Sequence, residues 1–289
     1  MSRIVLGTGG SALALAQSRN VLSELSAEWP DVQILPRTIK ASARGQASEE
    51  LLANLLNGRI NIAALSLDEL PASLPGGLEL AAVSKRLEPR LALVSKGNRK
   101  LGELPSSATV GVLTARDGAF VQAARKGLTI GMLSGDLDEA FALFAAAEVD
   151  ALVLPASHLI QLGFRQYLNA LLDAPSLPPA VGQGSVALVV RDDDHLAADI
   201  AYTMHHRPSF DRTLAERSFA KALSEQPGSL VGALATVSSD GELSLFGALT
   251  ELGGELVIQA EVTGEASEAR ELGAELAQDV LEQIRAHAH

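Results

Sequence analysis

The chain of 289 residues contains no cysteine. That excludes disulfides, thiolate metal sites and any chemistry that runs through a cysteine sulfur. Aromatic residues make up only 3%, too few to build a platform on which nucleic-acid bases could stack. Positive charge is scarce as well. With 23 Lys and Arg against 35 Asp and Glu, the formal net charge is −12, which disfavours nucleic acid and anionic membrane surfaces as partners. No apolar run approaches the roughly 18 residues of a membrane span, and no basic-then-apolar leader opens the sequence. The expectation is a soluble cytoplasmic monomer with no nucleic-acid or membrane partner. The six histidines (His158, His195, His205, His206, His287, His289) show no His-x-x-x-His or carboxylate-linked spacing, so no metal site is expected.

What is present is 47% hydrophobic, largely Ala and Leu, in a chain long enough for two or three domains. One stretch organises it. Asn61 to Pro71 is an apolar run, Ile62–Leu65, that breaks into the acidic pair Asp68–Glu69 just before a proline. This is how a buried strand of an α/β sheet ends, and ligands of such sheets bind outside the carboxyl ends of the strands. Upstream, the strand Arg3–Leu6 runs into Gly7-Thr8-Gly9-Gly10-Ser11 and a helix from Ala12 to about Leu25. A glycine-rich turn into a helix start is an anion-binding arrangement, although the residues match neither a Walker A loop nor a GxGxxG fingerprint. A plain turn with a Ser cap fits it equally well.

Strand, helix and turn signals then alternate. Val32–Leu35 is a strand, 37–48 a polar loop carrying Lys40 and Arg44, and Glu49–Asn57 a helix stopped by Gly58. Leu78–Val83 and Arg90–Ser95 are strands, and 96–100 is a polar crossover. A second α/β unit follows, with strands at Thr109–Leu113, Thr129–Leu133 and Ala151–Leu154. Its first strand leads into a turn, Thr114–Gly118, and a helix, Ala119–Lys126. Ser185–Val190 is a strand able to return to the first sheet, and His195–His206 and Phe210–Leu223 are helices. Arg212, Glu216 and Arg217 lie on the polar side of the second, expected as surface or interdomain ion pairs. Strands around Val231–Val237, Gly241–Leu249 and Glu255–Val262, a turn at Ser239-Asp240-Gly241 and a closing helix form a last α+β unit. Alternation of strands and helices implies parallel sheets.

Several motifs, in order, resemble the porphobilinogen deaminase (hydroxymethylbilane synthase) family over essentially the whole chain. They are Leu13-Ala14-Leu15-Ala16-Gln17, Asn61–Pro71, Glu88-Pro89-Arg90 before Leu93-Val94-Ser95, Leu177–Gly184 and Ala215-Glu216-Arg217. The fold expected is α/β, two periplasmic-binding-protein-like (type II) lobes with a double crossover plus a small C-terminal α+β domain. Lobe 1 takes residues 1–95 and 185–204, lobe 2 takes 98–183, and the C-terminal domain takes 208–289, with crossovers near 96–100 and 180–185. The ligand expected is a small molecule in the interlobe cleft.

The resemblance implies a dipyrromethane primer on a cysteine, a catalytic Asp at the pyrrole nitrogens, and Arg and Lys partners for acetate and propionate groups. The cysteine falls at about Pro227, where there is none. The catalytic Asp falls at Glu69 and the preceding Lys at Asp68. Substrate contacts carry over to Gly10, Ser11, Lys40, Arg44, Ser66, Thr114, Arg116 and Gln183. Family arginines are replaced at Gly9, Asp117, Gly131, Ser134 and Ala140. These losses point to a paralogue without the dipyrromethane cofactor, unable to work as a hydroxymethylbilane synthase, that binds a smaller, less anionic ligand or serves interaction. Two other readings stay open: an active hydroxymethylbilane synthase of tetrapyrrole biosynthesis with a non-covalent primer, and a solute-binding protein of the same lobed fold.

Overall fold

The computed structural model describes residues 2–40, 46–168, 170–226 and 228–287. They divide into two compact units, Met1–Leu87 with Gly184–Phe210 and Glu88–Gln183 with Asp211–His289.

The first unit holds β1 (Ser2–Thr8), α1 (Ala12–Glu28), β2 (Val32–Thr38), α2 (Ala47–Leu56), β3 (Ile62–Ser66) and β4 (Leu78–Val83). Its sheet has the order β2-β1-β3-β9-β4, where β9 is Val186–Arg191, followed by α6 (His195–Tyr202). Strands β1, β2 and β3 are parallel, and β9 runs antiparallel to both of its neighbours. The expected return of this segment to the first sheet is therefore realised, but in a mixed sheet. All five residues of β3 are buried, because helices cover both faces. Ile62 and Ala64 enter the core under α1 and α6, while Ala63 and Leu65 enter the core under α2. Trp29 closes α1, its N–H bonded to Leu25 O at 2.9 Å and its ring against the core.

The second unit repeats the plan. It contains β5 (Leu91–Ser95), β6 (Thr109–Val112), α3 (Ala115–Ala124), β7 (Thr129–Met132), α4 (Leu137–Ala145), β8 (Ala151–Pro155) and α5 (Ala156–Gln161). The order β5-β8-β6-β7 places three parallel strands beside one antiparallel strand, as β9 stands beside β3 in the first unit. Strand β5 thus belongs to the second sheet, not to lobe 1 as its position before the polar segment suggested. The chain crosses at Leu87/Glu88, and 96–100 is a surface turn after the strand. Helix α3 also begins earlier than expected. Thr114 caps it by accepting from Asp117 N at 3.1 Å, so Ala115–Gly118 is helix instead of turn.

Helix α7 (Arg207–Ala222) passes from the first unit into the second at Phe210/Asp211. Strands β10 (Leu230–Val237), β11 (Glu242–Thr250) and β12 (Val257–Glu265) form an antiparallel meander, and α8 (Ala269–His287) lies on one face. The predicted hairpin turn is there, with Gly241 at φ 88° and Ser238 N bonded to Glu242 O at 2.9 Å. The small domain's own core gathers Phe219, Leu245, Leu272, Leu276 and Val280. A second face joins the neighbouring lobe: Ala248 packs with Val110, Val112 and Phe120. Gly273 sets the approach of α8 to α7, since a Cβ there would lie 2.2 Å from Ala215 O.

Candidate functional site

Within the first unit, the parallel strands β1, β2 and β3 end on one edge of the sheet. That edge carries the β1–α1 turn with Gly10 and Ser11, the segment after β2 with Lys40, and Ser66 to Glu69 after β3. Topology therefore brings together five of the residues expected from sequence. Ile39 N bonds to Thr8 O at 2.8 Å, which ties the start of the Lys40 segment to the glycine turn. Ser11 is the N-cap of α1, its hydroxyl accepting from Ala14 N at 3.1 Å. Buried Thr8 donates its hydroxyl to Ala14 O at 3.1 Å. Ser66 is buried and exchanges hydrogen bonds with Gln17: Nε2 donates to its Oγ at 2.7 Å and Oγ donates to Oε1 at 3.1 Å. Gln17 thus carries the link between α1 and the site strand, a role visible in sequence only as part of the Leu13–Gln17 motif. Arg44 lies outside the described residues, and so does Pro227.

Glu69 ends a single 3-10 turn, Leu67–Glu69, that continues β3. Its outer surface meets solvent, yet the protein displaces enough water from its carboxyl to push the pKa up to about 7. That desolvation is the larger cause, and repulsion from the Asp68 carboxylate adds to it. A carboxyl of this kind is partly protonated at neutral pH and can either donate or accept a proton.

The second unit holds Thr114, Arg116 and Gln183. Thr114 Oγ1 donates to Asp117 Oδ2 at 2.7 Å, and Arg116 pairs with Asp117 Oδ1. Arg116 Nη1 donates to Pro178 O at 2.5 Å. Gln183 is buried and donates to Pro89 O at 2.5 Å, tying two segments of the unit together. Glu216, expected in a surface or interdomain ion pair, is not on the surface but fully buried: its carboxylate accepts from Gly182 N and Ala235 N, both at 2.8 Å. The correction has a simple cause. An amphipathic pattern shows a polar position on α7, but only the fold shows that two backbone N–H groups wait there. Arg217 is half-buried, and desolvation lowers its pKa.

Residues 4–199 match the family described as "Porphobilinogen deaminase, dipyromethane cofactor binding domain", and residues 210–282 match its C-terminal domain. The chain belongs to the porphobilinogen deaminase family. A porphobilinogen deaminase of Thermus thermophilus is 42% identical over 98% of this chain and 97% of its own length. One of Deinococcus radiodurans is 38% identical over 98% and 96%. A TRAP periplasmic solute binding protein of Desulfovibrio salexigens is similar with a TM-score of 0.46, 10% identity and coverage of 71% of this chain and 72% of that one.

The family match corrects one expectation. The dipyrromethane cofactor was expected to be absent, but residues 4–199 match the domain described as binding it. What the chain lacks is a cysteine thiol. With no cysteine, its residues do not fit a dipyrrole attached through a thioether. Among the described residues no group of three His, Cys, Asp or Glu side chains is placed to hold a metal ion, and no helix is long and apolar enough to cross a membrane.

Proposed function

We propose that this chain is a hydroxymethylbilane synthase of tetrapyrrole biosynthesis that holds its dipyrrole primer without a covalent bond. The observation that carries this reading is end-to-end similarity to porphobilinogen deaminases, 42% identity over 98% of the chain in the Thermus thermophilus relative. It supports the active reading better than the non-catalytic one. Glu69, at the end of β3 with a pKa of about 7, is the group assigned to proton handling. When the aminomethyl C–N bond of porphobilinogen breaks, the electron pair leaves with nitrogen and positive charge spreads to the pyrrole ring. Glu69 as the acid supplies a proton to the departing amine. As the carboxylate it accepts the pyrrole N–H and stabilises the cation. Lys40 and the N–H groups at Gly10 and Ser11 are assigned to substrate carboxylates, because the α1 N-terminus presents positive potential at the same sheet edge.

The test is turnover of porphobilinogen by purified protein, with and without an added dipyrrole, read as uroporphyrin after oxidation and combined with intact mass. Turnover is expected to depend on the added or co-purified dipyrrole, while the denatured chain shows its bare mass of 30.1 kDa. Absence of turnover under both conditions would return the chain to the non-catalytic reading.

A further inference from the structure

Resemblance alone assigns Thr114 and Arg116 to substrate carboxylates, but in the structure both are engaged elsewhere. The Asp117 side chain is only 1% exposed, and its carboxylate takes the Thr114 hydroxyl on one oxygen and the Arg116 guanidinium on the other. The second arm of the guanidinium donates to Pro178 O at 2.5 Å, leaving the Arg116 side chain 11% exposed. Separating this pair would strand a buried carboxylate, and a contact with a solvated ligand does not offset that. The Pro178 end is fixed too. A Cβ on Gly232 would lie 2.8 Å from Pro178 Cβ, so β10 and the proline turn touch closely. Ala233 N donates to Pro179 O at 3.1 Å, and Glu216 and Gln183 hold the end of the same segment. From the other side the β11–β12 turn presses on α3, where a Cβ on Gly254 would lie 2.2 Å from Ala119 O. Nothing in this arrangement leaves Arg116 room to swing outward without breaking two contacts.

We infer that Asp117 is a specificity-determining residue: it draws Arg116 onto itself and Pro178, removes one guanidinium from carboxylate recognition, and makes Arg116 a brace of the Pro178–Gln183 segment. The ligand in this inference, porphobilinogen, rests on the function proposed above. Asp117→Asn keeps the shape of the lock while removing its charge, so it should release the guanidinium toward anionic ligands.

The experiment compares wild type, Asp117→Asn, Arg116→Ala and the double variant Arg116→Ala/Asp117→Asn by thermal melting, alone and titrated with porphobilinogen. Without ligand, Arg116→Ala should melt well below wild type. The double variant should recover part of that loss, because no lone buried carboxylate remains. With ligand, the half-saturating concentration of the double variant should stay within about threefold of wild type, whereas Asp117→Asn should lower it by about threefold or more. A weakening of about tenfold or more in the double variant, with its unliganded melting near wild type, would overturn the inference. If wild type itself shows no response to porphobilinogen, the proposed function fails. The unliganded cycle then decides the brace, and strictly additive losses would sink it. Should Arg116→Ala not fold, Arg116→Lys takes its place, with lower melting and unchanged ligand response expected from the lost fork geometry.

Discussion

Glu69 holds its proton through two local effects that can be separated. Removal of water around the carboxyl is the larger, and the Asp68 charge the smaller. The sign of the linkage follows. With a folded pKa of about 7 against an ordinary value of 4.5, the folded protein binds more protons than the unfolded chain in that interval. The Glu69 contribution to stability is therefore fully present below pH 4.5 and is lost as pH rises through about 7. Melting of Glu69→Gln against wild type across pH should show the variant gaining on wild type as pH rises and levelling off above about pH 8. A difference independent of pH would mean that the carboxyl titrates normally. Asp68→Asn should move the wild-type midpoint down by less than half of the full shift, because desolvation remains. The residue scale also shows what one exchange does to its neighbours. Asp117 holds the adjacent Arg116 guanidinium as half of a buried pair.

Among elements, the contact of α8 with α7 has the least tolerance. Gly273 faces Ala215 O and Phe219 N, which are backbone atoms that cannot rotate away as a side-chain tip can. Gly273→Ala should destabilise the protein by about 1–3 kcal/mol or more, measured by denaturant unfolding, with the loss arising from separation of the two helices. A neutral result would mean that α8 slides without cost. The link between α1 and β3 is of another kind. Gln17 and Ser66 bond to each other inside the core, so removing the Gln17 side chain takes that partner from the buried Ser66 hydroxyl at a cost of about 1–3 kcal/mol. Helix α1, by contrast, is set locally, by the Ser11 cap and the glycines before it.

For the whole molecule, the charge of −12 acts against the proposed anionic substrate, porphobilinogen, before any contact forms. Added salt should screen that repulsion, because the Debye length falls from about 30 Å at 0.01 M to about 10 Å at 0.1 M. kcat/KM for porphobilinogen should accordingly rise as ionic strength increases across that range. A steady fall would show instead that a local cationic surface steers the substrate and dominates the net charge. Each unit builds its own strand-end edge on the same 2-1-3 parallel order with an antiparallel neighbour, so the plan of the first lobe is repeated in the second.

Much of this was legible in the residues. Continuous apolar runs at Ile62–Leu65, Ala151–Leu154 and Val186–Val190 mark strands buried on both faces, and Ser11, Gly58 and Gly241 mark where elements start and stop, because these signals depend on neighbours in the chain. The absence of cysteine is likewise complete in the sequence. Only the tertiary structure could assign β5 to the second sheet, bury Glu216 against Gly182 and Ala235, raise the Glu69 pKa and turn Arg116 toward Pro178. Strand pairing, desolvation and the partners of a buried charge come from groups distant in sequence, so periodicity and spacing carry no record of them.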